Sequence, residues 1–182
     1  MKRVVLAGIL ALATAGCMAA VAQAGPIEPN LPEGLDPVPA GHKLFLVGHA
    51  TGVQIYRCDA GASSHAWTLV APRANLYNDS GKLIVTHFVG PTWQAKDGSS
   101  VKAARADGVT ANPSDIPWLL LAATTTAAGP DGDRLAGTTH IQRLATHGGI
   151  APSAGQCNAV SVGDVVEVPY TAEYYFWKKL GA

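Results

Sequence analysis

The sequence predicts an all-β protein, a single-domain sandwich or closed barrel of about nine short strands. Three observations carry that expectation. Beyond the N-terminal segment, short runs of Val, Ile, Leu, Thr and Tyr alternate with clusters of Gly, Pro, Asn and Asp, the punctuation of strands and turns. No later window keeps the apolar spacing near 3.6 that an amphipathic helix needs. Two cysteines, Cys58 and Cys157, stand far apart in the chain, as in exported β domains closed by a long-range cross-link.

The elements follow in order. Lys2 and Arg3 precede an apolar run from Val4 to Ala15, and the segment closes on Ala22-Gln23-Ala24. These are the charged, apolar and small-residue parts of a signal peptide over residues 1–24. A spanning helix needs about 20 apolar residues, and Thr14, Gly16 and Cys17 interrupt the run. Export to the periplasm or beyond is expected, with lipidation at Cys17 as the minor alternative. Residues 25–40 carry Pro26, Pro29, Pro32, Pro37 and Pro39. Proline denies both helix and ladder bonds, so this is an extended leader. One domain over 41–178 follows.

Its candidate strands are Lys43–Gly48, Val53–Cys58, Ala66–Ala71, Ala74–Tyr77, Lys82–Phe88, Val101–Asp107, Trp118–Thr126, Thr138–Thr146 and Val165–Trp177. Asn78-Asp79-Ser80-Gly81 reads as a hairpin turn. In the last strand Val168, Tyr170, Ala172, Tyr174 and Phe176 share one face, while Glu167, Thr171, Glu173, Tyr175 and Trp177 share the other. Pro169 implies an edge or bulge. The run from Trp118 to Ala123 is apolar on both faces, which predicts a strand covered on both sides.

Charge and cysteines narrow the compartment and the partners. Removing Lys2 and Arg3 from 13 basic and 13 acidic residues leaves a net charge of −2. There is no run of Lys or Arg, so a nucleic-acid partner is not expected. Cys58 and Cys157 have no C-x-x-C partner and no His at ligand spacing. An oxidising compartment then favours a disulfide, worth about 4–5 kcal/mol for a loop near 100 residues.

Several blocks carry a family resemblance. They are Gly52–Cys58, His87–Trp93 with Asp97-Gly98-Ser99, Ile116–Leu121, Ile141-Gln142-Arg143 with Thr146–Gly149, and Val168–Tyr174. In this order they resemble the domain-of-unknown-function 3455 family of bacteria and fungi over roughly Pro39 to Trp177. The resemblance implies a secreted single domain and supplies no established activity.

The chain lacks G-x-G-x-x-G, G-x-S-x-G, H-E-x-x-H and a phosphate-binding loop. Gly129-Pro130-Asp131-Gly132-Asp133 reads as a tight turn rather than a calcium loop. His87 is the candidate base or metal ligand, with Asp97 as its orienting carboxylate. The blander assignment has His87 bonded to a loop carbonyl and Trp93 plugging the core. His140 and His147 lie seven apart on one strand and so face opposite ways. No cofactor is expected, and a copper or zinc ion on His87 and His140 is the alternative. Arg143 sits among apolar neighbours, with Asp97, Asp115 or Glu173 as candidate partners. Trp93, Tyr175, Trp177 and Arg143 are the candidate ligand contacts, Tyr175 and Trp177 being the expected exposed rings of an aromatic platform. The function expected is a non-catalytic ligand-binding, partner-binding or structural module. Its partner would be a small molecule, a glycan or an envelope protein. A metal-assisted hydrolase or oxidoreductase centred on His87 and Asp97 is the alternative.

Overall fold

A computed structural model describes residues 25–181, so the expected signal peptide and the alternative lipidation at Cys17 lie outside the described residues. The strands are β1 (His42–Ala60), β2 (His65–Tyr77), β3 (Leu83–Phe88), β4 (Thr92–Ala95), β5 (Ser100–Val109), β6 (Trp118–Ala127), β7 (Thr138–Gly148) and β8 (Val165–Lys179). Each pairs antiparallel with the next, and β8 pairs with β1 to close a barrel. Between the two expected architectures the closed barrel is the one that forms, an up-and-down meander in which every strand has a neighbour on each side. None of the described helices is long and apolar enough to cross a membrane.

Eight strands replace the nine expected. Lys43–Gly48 and Val53–Cys58 are one strand, as are Ala66–Ala71 and Ala74–Tyr77, whereas Thr92–Ala95 is a strand absent from the expected set. Gly52 suggested an interruption of β1. Instead it lies where β2 crosses closely, and a Cβ there would sit 2.2 Å from the Arg73 carbonyl oxygen. Pro72 falls between the two expected strands, but β3 pairs only with Ala74–Tyr77. Pro72 therefore has a strand neighbour on the β1 side alone and owes no bond on the other. Pro169 obeys the same rule, since β7 stops pairing with β8 at Gly148 and Tyr170.

Alternation along each strand fills the lumen. Leu46, Val85, Val101, Ile141, Tyr174 and Phe176 belong to one buried interior cluster. The alternation expected for β8 holds, with Tyr170, Ala172, Tyr174 and Phe176 buried. β6 is covered on both sides, as its composition requires. Leu121 packs inside, while Leu120 and Trp118 pack outside against Leu31, Leu35 and Val38. The Pro-rich leader is thus a strap docked on the barrel wall, with Leu35 buried and the Asp36 amide donating to Asp107 Oδ2 at 2.8 Å. Folded structure begins within that leader rather than at Gly41.

Cys58 and Cys157 form a disulfide. It joins the end of β1 to the long β7–β8 connection, beside the seam where the barrel closes. That connection lies at the same end as the β3–β4 and β5–β6 turns, because successive hairpins of a meander alternate ends. The end so braced carries the open part of the lumen.

Candidate functional site

The strands are unequal, and the inequality makes a cavity. β3 has six residues and β4 four, against 19 in β1. The wall is low on that side, and β2 from His65 to Arg73 has no neighbour toward β3. A cavity of about 220 Å³ enters the lumen there, lined by Gln54, Leu69, Pro72, His87, Pro91, Trp93, Arg105, Leu119, Leu121, Arg143 and Tyr174. Eight-stranded barrels have room for one small ligand at most, and this volume is below the ~300 Å³ where drug-sized sites begin.

His87 and Trp93 are opposite each other in the β3–β4 register. Their rings stack at 4.1 Å and 9°, and the Tyr174 ring meets both edge-on, at 5.5 and 5.6 Å. His87 is 3% exposed. Its Nδ1 donates to the Thr92 carbonyl at 2.9 Å, which assigns the proton to that nitrogen. Burial pushes its pKa down to about 3; the Thr92 carbonyl opposes the shift and the charge of Arg143 adds to it. The imidazole is therefore neutral at physiological pH and a weak base.

Arg143 enters the lumen from β7, where Ile141 faces the same way. Its Nε and Nη2 donate to the Pro117 carbonyl at 3.2 and 2.8 Å. Asp97, Asp115 and Glu173 do not pair with it; among the described residues no carboxylate comes within salt-bridge distance. Tyr174 and Tyr56 have hydroxyl pKa values raised by burial and partly restored by this guanidinium. One positive charge thus reaches several lumen groups.

Two further atoms are unusual. Gln54 Oε1 and Trp93 Nε1 are buried without a hydrogen-bond partner, and their residues are 2% and 1% exposed. Buried polar atoms are nearly always paired, and an unpaired one costs about 1–3 kcal/mol. Both residues line the same cavity.

The blocks quoted from the sequence now have places: Gln54, His87, Trp93, Leu119, Arg143 and Tyr174 all converge on the lumen. A family model described as a protein of unknown function, DUF3455, matches residues 39–178. The chain belongs to the DUF3455 family. No curated protein and no solved structure matches it. In this DUF3455 domain the match starts beyond most of the docked leader, which adds Leu31 and Leu35 to the fold from outside the matched region.

The other site expectations are corrected by position. Asp97 lies in the β4–β5 turn, at the opposite end of β4 from the His87 turn. It accepts from the Ser99 amide and hydroxyl and from the Arg134 amide, and its backbone oxygen accepts from Asp131. Asp97 therefore pins the Gly129–Asp133 turn and does not orient His87. His140 is on the outer wall, its ring 4.9 Å from that of His42, while His87 is inside. The barrel wall separates them, and they cannot share a metal. Among the described residues no three His, Cys, Asp or Glu side chains cluster as ligands.

The outer aromatic rings are not a free platform. Trp177 is buried at 6% exposure, and its indole donates to Gln142 Oε1 at 2.9 Å. Tyr175 packs with the leader contacts and donates to Glu173 Oε2. Both were expected to be exposed because the alternate face of β8 is polar in sequence; the leader covers it. Gln54 was missed as a site residue. It shares the inward register of Ala50, Tyr56 and Cys58, and a glutamine among apolar inward positions is the signal that could have found it. Tyr174 was assigned only to the core, and Arg105 carried no signal.

Proposed function

We propose that this protein is a non-catalytic binding module of the cell envelope that holds one small molecule in the open end of its barrel. The pair of buried, unpartnered polar atoms on Gln54 and Trp93, beside one half-open cavity, is the observation that carries this reading. A ligand that reached both atoms would remove the cost of leaving them unpaired. The mouth is apolar, with Leu69, Pro72, Pro91 and Leu119 around it, which suits an organic molecule better than a hydrated ion.

A catalytic role has less support. His87 is a weak base with its other nitrogen bonded to the backbone, and no Asp or Glu lines the cavity. General acid–base chemistry works best with a group that titrates near the operating pH. Native mass spectrometry of the chain purified from the periplasm, without chelator or reductant, tests the proposal. The expected spectrum contains a small organic adduct that is lost on denaturation. A metal adduct would support the hydrolase or oxidoreductase instead, and a clean polypeptide mass would count against a tightly held ligand.

A further inference from the structure

We infer that the lumen selects a small organic monocarboxylate, with its carboxylate held by Arg143 and the indole N–H of Trp93 and its apolar body lying against Leu119 and Leu121. The inference rests on the reading of the lumen as a ligand site and adds the chemical class of the ligand.

Charge is the first support. Arg143, inside the cavity, is unmatched by any Asp or Glu in its lining, whereas Arg105 at the mouth has Asp107 near it and helps the Asp36 amide to hold that carboxyl's pKa down. Arg143 donates to the Pro117 carbonyl and meets the Tyr174 hydroxyl, neutral groups that leave its charge without an anion. A partly buried guanidinium is costly without an anion, and a planar fork suits a carboxylate. Arg105 continues the inward register of Val101 and Ala103 to the rim, with Nη2 on the Gly108 carbonyl at 3.0 Å.

Hydrogen-bond polarity is the second support. Trp93 Nε1 can only donate, so whatever meets it is an acceptor. It stands unpaired and almost wholly buried. The unpaired Trp93 donor, together with the Arg143 guanidinium, is the complement of an anion, whereas Gln54 Oε1 as it stands is an acceptor without a donor. The Gln54 amide can turn either end toward the ligand and so can take a hydroxyl or a second carboxylate oxygen.

Size and surface complete the class. The cavity, at about 220 Å³, lies below the ~300 Å³ where drug-sized sites begin. One ring or a short chain with a carboxylate fills that, and a longer tail would protrude past Leu69, which is half exposed. The apolar lining gives an inorganic anion nothing to pack against.

Calorimetry on the full, disulfide-bonded chain tests this with benzoate and hexanoate against their neutral counterparts benzamide and hexanamide. The expected result is that at least one carboxylate binds, more than about tenfold tighter than its amide, the scale of a charged hydrogen bond. Arg143→Gln should lower carboxylate affinity by about ten- to a hundredfold and change amide binding less than about threefold. Trp93→Phe should lower carboxylate affinity several-fold, and inorganic phosphate should not compete. Equal binding of acid and amide overturns the anion assignment but leaves the lumen as a ligand site. No binding by either acid overturns the monocarboxylate assignment. If Arg143→Gln does not fold, the comparison of acid with amide on the natural chain still decides.

Discussion

Replacing His87 with Asn should remove most of the acid sensitivity of this fold between neutrality and about pH 4.5. In the folded chain His87 stays neutral until about pH 3, whereas the unfolded chain takes up that proton near the ordinary value of 6.5. Between those values the unfolded state binds more protons, so stability falls as pH drops below 6.5. Each pH unit inside the window costs about 1.4 kcal/mol, which gives roughly 2–3 kcal/mol by about pH 4.5 for a group 3% exposed. The side-chain amide of Asn can still donate to the Thr92 carbonyl, as Nδ1 does now. Loss of stacking on Trp93 lowers stability by an amount that does not depend on pH. The carboxylates with lowered pKa values do not interfere. Asp59 is held down by Arg57, Asp97 by the Ser99 hydroxyl and Asp107 by the Asp36 amide, and their loss lies below the ordinary carboxylate value of 3.8. His140 is lowered by burial and by His42, in the same direction, but it is present in both proteins. Urea unfolding at neutral pH and at about pH 4.5 measures the difference. The natural chain should lose about 2–3 kcal/mol more than His87→Asn on acidification. Equal losses would show that His87 is not held neutral and would refute its burial between Trp93 and Tyr174.

The other expectations concern the wall and its braces. Reduction of Cys58–Cys157, which closes a loop of 99 residues, should lower stability by up to about 4–5 kcal/mol; an unchanged denaturation midpoint under reductant would contradict that. Trp177→Ala should cost about 3–5 kcal/mol, because its ring is buried and its indole is bonded to Gln142. Unaltered stability in chemical denaturation would mean that the ring is free on the surface. Gly52→Ala places a methyl 2.2 Å from the Arg73 carbonyl and should destabilise by about 3 kcal/mol or more. A thermal midpoint within a degree or two of the natural chain would disprove the close crossing of β1 and β2.

The all-β class was legible in the chain because its cause is local, whereas closure into a barrel rather than a sandwich was not. Alternation such as Tyr170, Ala172, Tyr174 and Phe176 needs only period two, and the turn at Asn78–Gly81 needs only residues that tolerate it. The number of strands was less legible. Gly52 and Pro72 look like breaks until a neighbouring strand gives each its reason, a close crossing for one and an absent partner for the other. The outer face of β8 misled for a similar cause. Glu167, Thr171 and Glu173 make it read as solvent-facing, but the leader covers Tyr175 and Trp177 through contacts about 140 residues away in sequence. His87 and Trp93 were legible as a locus, because a histidine before Gly90-Pro91 with a tryptophan after it marks a strand end. Which partners they meet was not. Asp97 is near in sequence and belongs to the other end of β4, whereas Arg143 and Tyr174 are distant in sequence and meet them in the lumen. Strand closure brings them together, and no spacing records it.

The indole N–H resonances of the four tryptophans, recorded by nitrogen-15 NMR while hexanoate and, separately, benzoate are added to the full disulfide-bonded chain, decide whether the lumen holds a carboxylate. Trp93→Phe identifies the lumen resonance by its disappearance. With hexanoate or with benzoate, the Trp93 signal should shift and saturate while those of Trp67, Trp118 and Trp177 stay in place. A Trp93 signal unmoved as other residues respond, or a spectrum unchanged by both hexanoate and benzoate, would contradict a carboxylate site in the barrel.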